Sequence, residues 1–326
     1  MTDGNIDNNV RKNMDAFVQG QNSEVHAEAE LEAVITSLFR TFSIEVTPRE
    51  AARIDDFGAY LPKGTSVYVP WLQGSDISDT VVACARLRGE GMVPVPHLAA
   101  RAIPGLKQLE AMLALLRREA AVDQVLLIGG GLKAPLGAVD CAMQVLETGL
   151  LQDYGIRKIG VAGHPEGSPD IGVAALATAL KRKNQYAQHA NAELFIVTQF
   201  FFDAAPVIAW EREIRRQGNR LAVHAGLHGL ASIATLIRYA RNCGIGPSLR
   251  ALTNQHGRLL ALASKRNPDR LIVEIARSRL RDSGSRLENV HLFPFGSFKQ
   301  TASWAGALSR REFRLVEGGR ELSLLT

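Results

Sequence analysis

Leu-Phe-Ile-Val-Thr-Gln-Phe-Phe-Phe-Asp, residues 194–203, is an apolar run that ends in an amide, three phenylalanines and an aspartate. A continuous apolar run of this kind is typical of a strand that is buried on both faces in a parallel sheet. At its carboxyl end, Gln199 offers hydrogen-bonding groups and Phe200 to Phe202 offer ring faces, which together suit a flat heteroaromatic ligand. The alternative is that the phenylalanines only fill the hydrophobic core, as most large apolar side chains do.

Short apolar or β-branched runs like this one alternate with helical stretches along most of the chain. Eight strands separated by helices over roughly 255 residues, with no break in composition, predict an α/β fold, a (β/α)8 TIM barrel, rather than two doubly wound domains. A helix is predicted before the first strand, and extra helices are predicted in the stretch of about 63 residues between the seventh and eighth strands. The eight candidate strands are residues 42–47, 66–71, 92–97, 124–129, 158–163, 193–199, 220–225 and 289–295.

The composition is that of an ordinary globular protein, with 46% hydrophobic and 22% charged residues among 326. The net charge of +5 is spread along the chain, so nucleic acid is not predicted as a partner. Because there is no apolar stretch of about 18 residues and no signal sequence, we expect no membrane contact and a cytoplasmic location. Residues 1–22 are predicted to be a mobile arm, and residues 23–326 a single catalytic domain.

Polar and aromatic side chains follow most of the candidate strands. In a barrel, the loops after the strands form one mouth, so these side chains are expected to lie together at the active site. The residues at these positions are Glu45, Trp71, His97, Gly129 to Gly131, His164, Glu166, Gln199, Phe200 to Phe202, His224, His228, Phe293 and Phe295.

Glu45 lies inside the first candidate strand, at a position that points into the barrel if Ser43 and Thr47 do the same. A carboxyl group there is desolvated, so its pKa is expected to rise, which suits a general acid. The alternative is a buried glutamate paired with a nearby arginine or lysine. Because such pairs contribute little to stability, the functional role is favoured.

The run Gly129-Gly130-Gly131 allows the backbone to approach a phosphate or a flat ring, although a tight turn explains it equally well. His97, His164 and His224 raise the hypothesis of a metal site at the strand ends. No His-x-His pair follows the first strand and no Cys-x-x-Cys occurs, so no metal is predicted.

Four motifs, in the same order along the chain, resemble the methylenetetrahydrofolate reductases, a family of flavin-dependent (β/α)8 barrels that reduce 5,10-methylenetetrahydrofolate to 5-methyltetrahydrofolate. The Thr-Gln-Phe-Phe-Phe-Asp motif is the most specific of the four. The motifs are Ser43 to Pro48, Pro96 to Leu98, Ala162 to Pro169 and Thr198 to Asp203.

The resemblance implies that Glu45 is the general acid that protonates the N10 side of the folate imidazolidine ring. It implies that Gln199 hydrogen-bonds the pterin and that Phe201 or Phe202 packs against the folate. FAD and NAD(P)H are the implied cofactors, with His97 beside the flavin. The other implied cofactor contacts are Gly129, Gly130, Gly131, His164 and Ser168.

The chain departs from the family pattern at three places. Ile128 and the glycine run stand where the family has an Arg-Gly-Asp turn, so the acid near the flavin is missing. His164 and Ser168 replace the aromatic and histidine of the fifth turn. Lys299 follows the eighth strand, where the family has an arginine, and is expected to supply positive charge for the glutamate tail. We therefore predict a divergent branch of the family, in the short form without a regulatory domain.

Three alternatives stay open from the sequence. The missing acid after the fourth strand favours a flavin-independent, folate-binding methyltransferase or demethylase subunit. A non-catalytic folate-binding protein and a metal-dependent hydrolase are the other two. The sequence leaves open the choice between NADH and NADPH, the direction of the reaction, and whether the protein is a homo-oligomer.

Overall fold

The protein is described from a computed structural model, in which residues 25–71, 76–242 and 265–325 are described. The predicted mobile arm, residues 1–22, lies outside these ranges. The strands in chain order are β1 (Ser43–Glu45), β2 (Ser66–Val69), β3 (Val93–Ala99), β4 (Gln124–Ile128), β5 (Lys158–Gly163), β6 (Glu193–Phe200), β7 (Ala222–His228), β8 (Ala231–Ser232), β9 (Lys265–Arg266), β10 (Leu287–Phe293), β11 (Phe313–Val316) and β12 (Glu321–Leu324).

Eight of these strands close into a barrel in which every neighbouring pair is parallel, in the order β1-β10-β7-β6-β5-β4-β3-β2. The predicted (β/α)8 barrel is therefore confirmed. The short strands β8 and β9 pair antiparallel, and β11 and β12 form a separate two-stranded antiparallel sheet near the end of the chain.

Helices surround the barrel. Residues 25–39 form a helix before β1, and among the described residues two helices lie between β7 and β10, so both predictions of extra helices are confirmed. The helices are α1 (residues 25–39), α2 (Pro48–Ala51), α3 (Ile77–Gly89), α4 (Leu106–Ala120), α5 (Ala142–Glu147), α6 (Leu150–Asp153), α7 (Val173–His189), α8 (Ala204–Arg216), α9 (Ile233–Asn242), α10 (Asp269–Arg281) and α11 (Phe298–Ser309).

Helix-capping residues end strands β1 and β6 close to residues of the candidate site. After β1, the Thr47 side chain accepts a hydrogen bond from Glu50 N and the Glu50 carboxylate accepts one from Thr47 N, a capping box that starts α2. After β6, Asp203 accepts a hydrogen bond from Ala205 N at 2.9 Å and caps α8. These caps fix the chain just beyond Glu45 and just beyond the phenylalanine triplet.

Two of the hydrophobic clusters among the described residues shape the barrel. The larger cluster lies between the strands and the surrounding helices, and it includes Ile44 and Phe201. The smaller cluster fills the barrel interior with Tyr68, Val95, Leu126, Phe195 and Val197. This interior cluster excludes water from the middle of the barrel, so polar side chains above it are desolvated.

Candidate active site

Glu45 lies at the carboxyl end of β1, between two histidines from neighbouring parts of the barrel. Its Oε2 is 3.7 Å from His97 Nε2 and 3.8 Å from His291 Nε2, distances slightly too long for direct hydrogen bonds. The side chain is 20% exposed, so it still reaches the mouth. Burial raises the pKa of Glu45, and the neighbouring His97 only partly opposes this rise. Burial therefore favours the protonated form of this carboxyl group.

His97 and His291 are neutral at physiological pH. Burial lowers the pKa of His97 to about 4 and that of His291 to about 3. The Nε2 atoms of both rings are buried and have no hydrogen-bond partner among the described residues. Because a buried polar atom without a partner is costly, both nitrogens are available for a hydrogen bond with Glu45 or with a ligand.

Ser43 and Tyr68 complete this cluster from below the mouth. Ser43 Oγ lies 2.8 Å from His291 Nδ1, and the Tyr68 hydroxyl is hydrogen-bonded to the Ser43 side chain. The Tyr68 ring packs against both histidines, with centroid distances of 4.3 Å to His291 and 5.9 Å to His97. Burial raises the pKa of Tyr68, so its hydroxyl keeps its proton. Sequence reasoning predicted that Glu45 points inward, but it missed three groups of the same cluster: Tyr68, His291 and the hydroxyl of Ser43.

Gln199 is exposed at the end of β6, next to the end of β7. The preceding Thr198 is buried, and its hydroxyl accepts a hydrogen bond from Gly226 N at 2.8 Å and donates one to Gln199 O at 2.9 Å. A Cβ at Gly226 would lie 2.4 Å from Thr198 O, so only glycine allows this close approach. The two strands therefore hold the Gln199 backbone at the mouth.

The phenylalanine triplet is split between two environments. Phe201 is 1% exposed and packs in the core between the barrel and its helices, so it does not line the mouth. Phe202 is half-buried, with its ring 5.7 Å from His228 and 5.6 Å from Phe200. Of the two predicted folate contacts, the structure places only Phe202 on the side of the mouth, because consecutive side chains at the end of a strand point to opposite faces.

The predicted cofactor contacts lie at the ends of β4 and β5. Gly130 has φ +87°, and a Cβ there would lie 3.0 Å from Ala99 Cβ, so the glycine turn packs against the end of β3. Burial lowers the pKa of His164 to about 4, and nearby Lys183 contributes. Ser168 lies in the following turn, where its Oγ accepts a hydrogen bond from Asp170 N at 3.3 Å.

Lys183 is a buried cation that sequence reasoning missed. It is the most buried side chain of α7, and its Nζ makes one long contact, 3.5 Å, with Ala162 O at the end of β5. Burial lowers the pKa of Lys183 to about 8. Helix α7 is otherwise largely exposed, but Lys183 turns inward toward the end of a strand. A lysine at such a position is the signal that could have found this cation.

Lys299 lies farther out, on α11. Its Nζ is 4.0 Å from Asp55 and 5.3 Å from the centre of the Tyr60 ring. With 45% of its side chain exposed, it is at the rim and not beside Glu45.

No group of three His, Cys, Asp or Glu side chains in the described ranges is arranged to hold a metal ion.

Residues 130–248 match the family model of methylenetetrahydrofolate reductase. The resemblance to that family is confirmed. The reductase-like segment includes Gly130, Gly131, His164, Ser168 and Gln199, whereas Glu45, His97 and Lys299 lie outside it. The assignment of Glu45 on β1 and His97 on β3 to the candidate site therefore rests on the motifs and on the geometry described above.

Individual relatives agree with this match over different lengths. Methylenetetrahydrofolate reductase 1 of Schizosaccharomyces pombe is 35% identical over 88 residues, which span 27% of this chain and only 14% of the yeast enzyme. A solved structure of an uncharacterised protein from Clostridium thermocellum, which binds two copies of 5-methyl-5,6,7,8-tetrahydrofolic acid, superimposes with a TM-score of 0.55 at 12% identity. That comparison covers 85% of this chain and 97% of the other, and it shows a shared fold.

No helix in the described ranges is both long and apolar enough to cross a bilayer. The cytoplasmic location stays a prediction.

Proposed function

We propose that the protein is an oxidoreductase of folate one-carbon metabolism. In the proposed reaction, which resembles that of methylenetetrahydrofolate reductase, a hydride passes between NAD(P)H and 5,10-methylenetetrahydrofolate through a flavin, giving 5-methyltetrahydrofolate, or passes in the reverse direction. The observation that carries the proposal is the position of Glu45 at the mouth of the barrel, 3.7 and 3.8 Å from two neutral histidines, where burial raises its pKa. The family match over residues 130–248 supports it.

Glu45 supplies the proton for ring opening. The proton goes to N10 of the imidazolidine ring, the bond between the bridging carbon and N10 breaks with its electron pair going to N10, and the N5 lone pair forms an iminium. The iminium carbon then accepts a hydride. His97 and His291 are placed to hydrogen-bond Glu45 because their Nε2 atoms are unpartnered within the described residues.

The remaining contacts orient the substrate. The Gln199 amide is proposed to hydrogen-bond the pterin, and the Phe202 ring to pack against the folate. Lys299, at the rim, is proposed to attract the negatively charged glutamate tail, for which it would leave its long contact with Asp55. Tetrahydrofolate derivatives are thus the proposed partners.

The residues at the ends of β4 and β5 fit the phosphate end of FAD. Lys183 is a buried cation with one long hydrogen bond, and such a group is stabilised by an anion. His164 lies near Lys183. These two residues would hold the cofactor together with Gly129 to Gly131 and Ser168, and His97 would lie beside its ring. When bound, the flavin would supply the capacity to accept and donate a hydride.

A second candidate function is methyl transfer to or from tetrahydrofolate without a flavin. It is favoured by the sequence Ile128-Gly129-Gly130-Gly131, which has no acid to tune a flavin. It is also in keeping with the 5-methyl-tetrahydrofolate ligand of the Clostridium thermocellum protein. Under this hypothesis the Glu45 cluster would still act on the pterin, but turnover would not depend on NADH.

An absorption spectrum of the purified protein, followed by anaerobic titration, separates the two functions. The reductase proposal predicts flavin bands that bleach with NADH and recover with 5,10-methylenetetrahydrofolate. A colourless protein that cannot be reconstituted with FAD, but that exchanges a methyl group with tetrahydrofolate, would support the second candidate. Failure to bind any reduced folate would contradict both.

A further inference from the structure

Glu50 is a second carboxyl group close to Glu45. It lies in the first turn of α2, shortly after β1, and its side chain folds back toward that strand. Thr47 N and Thr47 Oγ1 both donate to Glu50 Oε2, at 3.2 and 2.8 Å. Because Thr47 is only two residues beyond Glu45, these hydrogen bonds hold the Glu50 carboxylate beside the strand end that carries the acid.

The other oxygen of Glu50 faces the turn that follows β10. A Cβ at Gly296, in that turn, would lie 3.9 Å from Glu50 Oε1. Strand β10 pairs with β1 and carries His291, whose Nε2 is 3.8 Å from Glu45 Oε2. The Glu50 carboxylate is therefore fixed between the two connections that border Glu45.

The cations on neighbouring elements do not neutralise Glu50. Arg49 and Arg53, on and just after α2, are exposed, and Lys299 of α11 makes its long contact with Asp55 instead. Among the described residues, Glu50 forms no ion pair within 4 Å. Its side chain is partly exposed, and an ordinary glutamate is ionised at neutral pH, so Glu50 carries a full negative charge.

The other titratable neighbours of Glu45 carry no charge at neutral pH. His97 on β3 and His291 on β10 are neutral because burial lowers their pKa values, and Tyr68 on β2 keeps its proton because burial raises its pKa. A negative charge near a carboxyl group opposes its ionisation. Burial makes the largest contribution to the raised pKa of Glu45, and Glu50 adds to the rise.

We propose that Glu50 is a positioning residue for the acid: its fixed carboxylate favours the protonated form of Glu45 at neutral pH, so that Glu45 holds a proton when the substrate binds. The inference rests on the proposed folate function, in which Glu45 donates to N10. The two carboxyl groups divide the roles because their surroundings differ. The partly solvated Glu50 is ionised, and the buried Glu45 keeps the proton.

Glu50→Gln separates the charge of this residue from its structural role. The glutamine side chain keeps an oxygen that can accept both hydrogen bonds from Thr47, so the helix cap is retained while the negative charge is lost. Glu50→Asp is the converse variant, because it keeps the charge on a shorter side chain. Glu110→Gln is the matched control, since Glu110 is also a partly exposed glutamate and lies on α4.

Two measurements follow the proton of Glu45. One is the dependence of kcat/KM on pH. The other is NMR titration of the 13C-labelled Glu45 carboxyl carbon, assigned by its absence from Glu45→Gln, which requires no turnover. In Glu50→Gln we expect Glu45 to lose its proton at lower pH, so kcat/KM on the alkaline limb falls about three- to tenfold and the plateau at low pH is unchanged. Glu50→Asp and Glu110→Gln should follow the parent protein.

The two measurements also separate this inference from the proposed function. If the Glu45 titration in Glu50→Gln matched that of the parent protein, the role of Glu50 would be overturned. A loss of kcat/KM that is equal at every pH would overturn it as well, because that loss would be structural. If the titration moved as expected but the parent protein did not turn over reduced folates, the effect of Glu50 on Glu45 would stand and the folate function would be refuted.

Discussion

Ser43 Oγ lies 2.8 Å from His291 Nδ1, across two adjacent parallel strands and 248 positions apart in sequence. Because Tyr68 is hydrogen-bonded to the same hydroxyl, the three side chains fix the orientation of the ring whose other nitrogen faces Glu45. The acid therefore lies beside a buried hydrogen-bonded unit.

Glu45→Gln should abolish turnover while leaving the fold intact. Glutamine keeps the size and polarity of the side chain but cannot donate an acidic proton, and loss of a general acid costs about a hundredfold or more. Circular dichroism and thermal unfolding check the fold, and steady-state kinetics check the turnover. Parent-like turnover would remove Glu45 from the mechanism.

The activity should fall as pH rises through the pKa of Glu45, because only the protonated carboxyl group donates. Burial places this pKa above the ordinary value of a glutamate, so the fall is expected at a higher pH than for an exposed carboxyl group. A profile of kcat/KM against pH measures it. Glu45→Asp is a suitable variant if it folds and keeps residual activity. If its pH profile kept the same alkaline limb, that limb would belong to another group.

Tyr68→Phe should reduce turnover a few-fold and move the alkaline limb of the pH profile to higher pH. When Tyr68 donates to Ser43 and Ser43 donates to His291 Nδ1, the hydrogen of the imidazole is on Nε2, facing Glu45, where it favours the carboxylate. Removing the Tyr68 hydroxyl weakens this support, so the pKa of Glu45 rises further. Tyr154→Phe, outside the mouth, should change neither quantity; a Tyr68→Phe profile identical to the parent would limit Tyr68 to packing.

Lys183→Met should weaken FAD binding by at least about tenfold, because it removes the buried cation proposed to face the cofactor phosphates. Lys181→Met changes an exposed lysine of the same helix and is the control. Flavin content after purification and titration of the apoprotein with FAD provide the measurement. Equal flavin affinity in the two variants would mean that Lys183 has only a structural role.

Gly226→Ala should destabilise the protein by about 1–3 kcal/mol or more, since its Cβ would lie 2.4 Å from Thr198 O and 2.6 Å from Gln199 O. It should also disturb ligand binding, because the shift falls on the backbone that carries Gln199. Gly172→Ala, with φ −63° and nothing within 4 Å of its Cβ, is the control. Thermal or urea unfolding compares the two, and similar stabilities would show that β6 and β7 separate easily.

Asp269 should make stability depend on pH. Burial raises the pKa of Asp269 to about 7 from an unfolded value of 3.8, so the folded state holds its proton more tightly. The contribution of Asp269 to the free energy of unfolding is therefore greatest below about pH 4. It falls by on the order of a few kcal/mol as pH rises to about 7. Asp269→Asn should remove this dependence and be the more stable protein at pH 8, as measured by urea unfolding at both pH values.

The barrel was predictable because each strand is a local signal. An apolar run such as residues 194–197 requires burial on both faces wherever it lies, and caps such as Thr47 with Glu50 or Asp203 mark its end without reference to distant residues. The position of Gln199 was predictable for the same reason, since it follows an apolar run, whereas Glu45 was placed inside its strand by the alternation of Ser43, Glu45 and Thr47.

The partners of these residues were decided by the tertiary structure. His291 and Tyr68 meet Glu45 because β10 and β2 both pair with β1, and the register of that pairing is a property of the closed barrel. Phe201 was one of the two residues expected to pack against the folate, and only the direction of the chain beyond β6 placed it in the outer core. The sequence by itself determined which segments are buried and which polar groups end them; closure of the barrel decided which of those groups touch, because contacts between distant strands depend on register and packing that no single segment contains.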